Sequence, residues 1–393
     1  MANSPLRLSL WNKVGTRMEH AVLNPQWDQP EPFRLQELWS PVAIFLLSRL
    51  YVVCMFLGVS RLTKNTLTNL LESWDSSWYI SVAQHGYATS IPHGSGDVAQ
   101  CNLGFFPLWP LLIRFVHAVT GLSWPTSAVA ATFVSGTAAA IAVWLLLRST
   151  STLSASRRGL SLVMFTPGAI ALTLLYSEGL IVTFGFLALF LLRRRQWEGA
   201  ALAAALCSLC DPVGGAAVAA VIIVALWTVY REHSWRPLSV LAIAPLGVLT
   251  FFSYLYFHAG SFFAWFNAQR TGWQGGTYFL GAPKAVMAFI SHGFSNLNPP
   301  VKSLSLIFAV AILILFVRIK PPLSVIAYSV AVLFLGLLSP IIGITPRLLL
   351  RDSPMLALVG SRLNRRWFGV VLAGSCAVLG YLVIVSATIV WTP

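Results

Sequence analysis

Most of the chain alternates apolar runs with short breaks rich in arginine, glycine and proline. The runs cover residues 39–60, 127–147, 160–175, 179–192, 199–209, 213–230, 237–257, 303–317, 323–338, 348–360 and 367–390. None shows the two-residue alternation of a half-buried strand, so the pattern predicts an all-α chain. A helix rising 1.5 Å per residue needs about 20 residues to cross a hydrocarbon core of about 30 Å. The first run meets that length, whereas 199–209 and 348–360 are short. Short helices joined by tight turns, as at Tyr176-Ser177-Glu178 and Asp211-Pro212, predict a bundle with a water-filled hollow rather than an array of full-length spans.

Residues 104–121 fit the pattern less well, because two prolines, Arg114 and His117 interrupt the apolar stretch. Either this segment crosses or it lies at the outer interface. If it is interfacial, the basic loops 148–158, 193–195, 231–236, 318–320 and 362–366 all fall on the cytoplasmic side. If it crosses, they are inverted. We take the first option, which gives about eleven crossings, within a range of about ten to twelve.

Composition agrees with the pattern. Of 393 residues, 57% are hydrophobic and 10% charged, and the mean hydropathy is +0.75. That is more apolar surface than a soluble core could hide, so the chain reads as a polytopic integral membrane protein. The net charge of +14, from 26 Lys and Arg against 12 Asp and Glu, would suggest nucleic acid in a soluble protein. Here the cations collect in loops between spans, so the expected partners are membrane lipids and no nucleic acid. Residues 1–38 are polar and carry Arg7, Lys13, Arg17 and Arg34, which suits a retained cytoplasmic tail better than a signal peptide. The expected organisation is this tail, a membrane core at 39–257 whose first outer loop (61–125) contains interfacial helices, a second outer loop at 258–302, and C-terminal helices at 303–393. Cys207-x-x-Cys210 has redox or metal spacing, but no second pair completes a site, so both read as small apolar helix residues.

The chemistry concentrates at residues 72–87, Glu-Ser-Trp-Asp-Ser-Ser-Trp-Tyr-Ile-Ser-Val-Ala-Gln-His-Gly-Tyr, just past the first span. As one helix it would align Glu72, Asp75 and Tyr79 on a face beside Trp74 and Trp78. On this topology the outer side also holds Asp97, Glu178, Asp211 and Asp352, with Arg270, Lys284, Lys302, Arg347 and Arg351. Carboxylates to activate a hydroxyl, cations to hold a phosphate and aromatics to stack on a sugar are what glycosyl transfer from a lipid phosphate requires. Plainer roles stand beside these. Asp75 could simply pair with an arginine, Glu178 could cap a helix, and His85 and Tyr87 could anchor a helix end at the interface. Arg49, inside the first span, needs a polar cavity or a partner, either a structural ion pair or a phosphate or carboxylate ligand.

These residues carry a family resemblance. Trp74-Asp75-Ser76-Ser77-Trp78-Tyr79 with Ala83-Gln84-His85-Gly86-Tyr87 resembles the Trp-Asp…Ala-Glu-His-Gly-Tyr signature of the PIG-V mannosyltransferase family. Phe105-Phe106-Pro107-Leu108-Trp109-Pro110 resembles its Phe-Phe-Pro-x-x-Pro element, Tyr176-Ser177-Glu178 its Tyr-Ser-Glu turn, Gln269-Arg270-Thr271-Gly272-Trp273 its Gln-x-x-Gly-Trp loop, and Pro346-Arg347 its last shared element. The resemblance implies a GT-C-type glycosyltransferase fold, an active site facing away from the cytoplasm, a polyprenyl-phosphate-mannose donor and inversion to an α-mannoside. It makes Asp75 the catalytic acid-base residue. Glu72, Trp74, Trp78, Tyr79, His85, Tyr87, Glu178, Arg270, Arg347 and Arg351 are then the candidate substrate contacts. Small size and the lack of a large outer domain resemble bacterial, in particular actinobacterial, members, with a plasma-membrane location and a glycolipid or lipoglycan acceptor rather than a GPI precursor. No cofactor is implied, since arginines can stabilise a phosphate leaving group, and metal dependence stays open. Two departures stand out: Asp211-Pro212-Val213-Gly214 replaces the family's Arg-Pro…Gly, and Gln84 replaces its acid. A lipid-linked sugar transporter would also want arginines in a polar cavity, but it would not need an acid among aromatics in the first outer loop, and no internal repeat is visible.

Overall fold

A computed structural model of the chain describes residues 34–273, 281–339 and 343–388. Every regular element among them is helical. Helix α1 (Trp39–Thr63) stops at Lys64, which takes a left-handed conformation (φ 59°), and Thr66 then caps α2 (Leu67–Leu71) by accepting from the Asn69 N–H. Helix α3 (Asp75–His85) ends at Gly86, whose φ of 77° stops the helix without a side-chain clash. Next come α4 (Leu108–Thr120) and α5 (Trp124–Arg148), the latter capped by Ser123 with Pro125 in its first turn. Helix α6 (Leu153–Met164) gives way to a 3-10 stretch at Pro167–Leu172, because Pro167 has no N–H to continue the ladder.

The remainder comprises α7 (Glu178–Arg193), α8 (Trp197–Ser208), a 3-10 turn at Pro212–Gly214, α9 (Gly215–Glu232), α10 (Ser239–Ile243), α11 (Leu246–Ala259), α12 (Ala264–Gly272), α13 (Gly281–His292), α14 (Asn298–Arg318), α15 (Leu323–Leu338), α16 (Pro346–Arg351), α17 (Ser353–Arg362) and α18 (Arg365–Ala387). Among the described residues, six helical stretches are long and apolar enough to cross a membrane: Leu35–Thr63, Trp124–Arg148, Pro212–Glu232, Arg236–Ala259, Asn298–Arg318 and Arg365–Ala387. The protein is therefore a helical, membrane-embedded bundle.

Several expected spans differ in detail. The run at 160–175 is not one helix, since α6 starts inside the basic segment and breaks at Pro167. The run at 348–360 is divided at Asp352 between α16 and α17. The interfacial candidate α4 has 13 residues, so it reaches only about 20 Å. It packs against α3 and α5. Residues 1–33 of the expected tail lie outside the described residues.

The core forms where α7 packs on α5 and α8, α17 on α6, and α15 on α9. Close approach is a matter of small residues. A Cβ on Gly179 would fall 2.5 Å from Ser135 Oγ, so the α5–α7 contact depends on its absence. The break after α6 is sealed from α1: buried Arg49 donates to Met164 O (3.0 Å), Ala169 O (2.6 Å) and Thr173 Oγ1 (2.5 Å). These partners are neutral oxygens around the break, so among the described residues Arg49 neither forms an ion pair nor reaches the charged site described below; it fastens the broken segment to α1.

Among the described residues, two further groups of polar contacts join the helices. At one, Arg148 pairs with Glu37 (2.7 Å), Arg157 reaches Ser40 Oγ (3.1 Å), Arg193 reaches Ser149 O (3.0 Å) and Arg158 reaches Ser361 O (3.1 Å). At the other, the start of α3, the turn before α7, the turn before α9 and helix α16 meet.

Candidate functional site

Trp74 carries φ 60° and ψ −127°, a conformation that bulky residues rarely adopt and that tends to mark functional turns. It ends the turn after α2 and makes Asp75 the first residue of α3. Helix α3 then locks onto the turn before α7. The Asp75 N–H donates to Tyr176 Oη (3.4 Å), and the Tyr79 and Ser177 hydroxyls pair at 3.2 Å. From α4, Trp109 Nε1 donates to Leu175 O at 2.8 Å, bracing the same turn.

Opposite stands α16. Thr345 caps it by accepting from the Leu348 N–H (3.2 Å), and Pro346 opens its first turn. Arg347 and Arg351, four residues apart, share one helix face. The 3-10 stretch of Pro167–Leu172 lies directly behind, where a Cβ on Gly168 would fall 2.0 Å from Pro346 O.

The charged side chains form one alternating chain. Arg347 Nη1 meets Asp75 Oδ2 at 2.6 Å and Arg347 Nε donates to Glu178 Oε1. Arg351 Nη2 meets the same Glu178 oxygen at 2.6 Å, and Arg351 Nη1 meets Asp211 Oδ1 at 3.1 Å. Asp211 also caps the following 3-10 turn, accepting from the Val213 N–H at 2.9 Å. The Arg347 guanidinium lies 4.4 Å over the Tyr176 ring, a cation–π contact that flattens it in place. Three carboxylates thus share two guanidinium groups.

Depth separates the members. Glu178 is fully buried and Arg351 nearly so, at 0% and 4% side-chain exposure, whereas Arg347 and Asp75 keep 15% and 28%. Glu178 Oε2 has no hydrogen-bond partner among the described residues. The buried pair holds, and the open pair can meet a ligand.

Beside Asp75 stands an aromatic wall. Trp78 stacks on Phe105 (6.0 Å, 14° between planes), and Trp273 packs edge-on to both (5.6 and 5.7 Å). Helix α12 is held there by Gly104, whose carbonyl accepts from Gln269 Nε2 (2.9 Å) and Trp265 Nε1 (3.1 Å).

Of the residues singled out in the sequence, Asp75, Tyr79, Glu178, Arg347 and Arg351 come together, with Trp78 alongside. The others stand apart. Glu72 does not share a face with Asp75, because it ends α2 and the kink at Trp74 intervenes; partial burial pushes its carboxyl above the ordinary range. Trp74 is the residue of the kink rather than part of the helix. His85 is exposed at the far end of α3, about 15 Å from Asp75 along the axis. Tyr87 donates to Phe105 O (2.9 Å) and packs against Phe251 and Tyr254, an anchoring role. Arg270 is exposed on α12. Two participants were not among the expected contacts: Tyr176, the platform under Arg347, and Asp211. The motif Tyr176-Ser177-Glu178 already pointed to the first. Asp211 read as the loss of a cation, whereas it is the second partner of Arg351.

Among the described residues, no group of three or more His, Cys, Asp or Glu side chains is arranged to hold a metal ion. A partly open carboxylate beside an anchored arginine can accept a proton and stabilise an anion within one small volume. In comparison with known proteins, no family model, no curated protein and no solved structure matches this chain.

Proposed function

We propose that the chain is an inverting membrane glycosyltransferase of GT-C type. It moves mannose from polyprenyl-phosphate-mannose to a hydroxyl of a glycolipid or lipoglycan acceptor on the non-cytoplasmic face of a bacterial plasma membrane. The observation that carries this reading is the Asp75–Arg347 pair, a carboxylate and a guanidinium 2.6 Å apart that remain partly open while Glu178 and Arg351 anchor them from below. The PIG-V-like motifs support it, since Trp74-Asp75, Tyr176-Ser177-Glu178 and Pro346-Arg347, far apart in sequence, contribute to one cluster.

In the reaction, Asp75 takes the proton of the acceptor hydroxyl as its oxygen bonds to the anomeric carbon. The bond from that carbon to the phosphate oxygen breaks on the opposite face, and its electron pair leaves with polyprenyl phosphate. Arg347 meets the charge that develops there. Attack opposite the leaving group converts a β-linked donor into an α-mannoside. Trp78 offers a face on which a sugar can stack.

The proposed topology has eleven crossings, counting the shorter helices α7, α8 and α15 and the broken segments α6 with its 3-10 extension and α16 with α17. It puts the Arg148–Glu37 end in the cytoplasm and the acid–arginine chain outside. Purified protein in liposomes, given labelled polyprenyl-phosphate-mannose and a mannosylated lipid, should release polyprenyl phosphate and label the acceptor. Movement of the donor across the bilayer without transfer would instead favour a transporter.

A further inference from the structure

In the structure, both guanidinium groups of the chain are engaged by carboxylates. Arg351 gives Nε and Nη2 to Glu178 and Nη1 to Asp211, while Arg347 gives Nε to Glu178 and Nη1 to Asp75. An anion arriving from the open side meets Asp75 first, the most exposed member of the cluster, with Arg347 directly beside it. Asp75 is also the acid most easily let go. Glu178 is held by two arginines, and Asp211 is held by Arg351 and the Val213 N–H. The Asp75 carboxylate has Arg347 as its one ion-pair partner among the described residues, and it stands on the first turn of a short helix behind the strained Trp74 backbone.

We infer that the donor phosphate and the Asp75 carboxylate compete for Arg347 Nη1, so that donor binding displaces Asp75 and frees it to act as the base. This rests on the function proposed above and adds an order to it. The Asp75 oxygen that meets Arg347 Nη1 is occupied by the guanidinium, and the contact aims the carboxylate at Arg347. Before the donor arrives that oxygen is engaged; afterwards the phosphate takes its place on Arg347, Glu178 keeps the guanidinium where it is, and Asp75 turns to the acceptor hydroxyl. No covalent bond changes in this exchange of ion pairs. Donor therefore binds before acceptor, and the base is unmasked only when there is a phosphate to receive the charge.

The test is equilibrium binding of a short-chain polyprenyl phosphate, the leaving group, to the purified full-length protein in detergent, with the uncharged polyprenol and inorganic phosphate as comparison arms. Removing the competing carboxylate should improve binding, so Asp75→Asn, catalytically impaired, should bind polyprenyl phosphate about tenfold more tightly than wild type. Asp75→Ala should tighten it in the same direction, and Arg347→Ala should weaken it whether or not Asp75 is intact. Polyprenol binding should not respond to Asp75→Asn, and inorganic phosphate should follow polyprenyl phosphate at lower affinity. Thermal unfolding of each variant confirms that folded protein is compared. Saturable wild-type binding that Asp75→Asn and Asp75→Ala leave unchanged or weaken would overturn the competition while leaving the proposed transfer in place. No wild-type binding of polyprenyl phosphate would overturn both.

Discussion

Arg347 and Arg351 are one helical turn apart, yet their burial gives them different work. Both lie between two acids, but Arg347 keeps 15% of its side chain exposed whereas Arg351 keeps 4%. Arg347→Ala should therefore weaken donor affinity by roughly 1.5–3 kcal/mol, the range for a hydrogen bond to a charged group. Arg347→Lys should recover part of it, since an ammonium keeps the charge but loses the fork. Direct donor binding checks both, and Arg270→Ala should match wild type because Arg270 lies outside the cluster. The buried partner predicts a stability effect instead. Glu178→Gln leaves two guanidinium groups facing a buried neutral amide, and breaking a buried pair in that way costs about 3–5 kcal/mol. A lowered midpoint of thermal unfolding should accompany it; an unchanged midpoint would mean that Glu178 does not hold the arginines together. At this scale the sequence pointed to Asp75, Glu178, Arg347 and Arg351, because charge is rare in so apolar a chain and rare charges must find one another. It misled at Glu72 and Trp74. Nothing in a run of helix-compatible residues signals that a tryptophan will take a positive φ and restart the helix at Asp75. Asp211 was misjudged by sign, because a sequence shows a residue's own charge and not the charge it will face.

Among the elements, the 3-10 stretch of Pro167–Leu172 sets the height of α16 and hence of Arg347. Gly168 permits this, since a Cβ there would fall 2.0 Å from the Pro346 carbonyl. Gly168→Ala must push the two backbones apart, and overpacking of this kind costs about 1–3 kcal/mol. The expected outcome is a lower unfolding midpoint together with reduced turnover, because the residue displaced is the neighbour of Arg347. Gly374→Ala in α18, where a Cβ would meet nothing within 4 Å, should leave both unchanged. Equal behaviour of the two variants would contradict the close contact. The long helices were legible from hydropathy alone, but the broken ones were not. Residues 160–175 look like a continuous apolar run, and only Pro167 hints at the break, whose carbonyls are satisfied by Arg49 from a helix more than a hundred residues earlier in the chain. A charge within a span thus had a structural use that no local pattern could reveal.

For the whole molecule, charged residues form two prominent groups among the described residues, the arginine-rich loops around Glu37 and Arg148 and the alternating chain from Asp75 to Asp211. The proposed interfacial placement of residues 104–121 rests on the basic loops falling on one side. Single cysteines at Ser95 and Arg195, in a background without the native five, should react with an impermeant reagent from opposite sides of sealed cells. Both positions are exposed, so the reagent can reach them. Labelling of both from one side would require residues 104–121 to cross and the crossing count to change by one.

The central claim is that Asp75 accepts the proton of an acceptor hydroxyl while polyprenyl phosphate departs toward Arg347. Its most direct test is the single-turnover rate of mannose transfer from polyprenyl-phosphate-mannose by purified wild type and Asp75→Asn in liposomes, at saturating donor and acceptor. Asparagine keeps the size of the side chain and removes the basic oxygen, so the rate should fall by at least about two orders of magnitude, the usual scale for a general base, while the variant stays folded and still binds donor. Transfer by Asp75→Asn at near the wild-type rate would contradict the account.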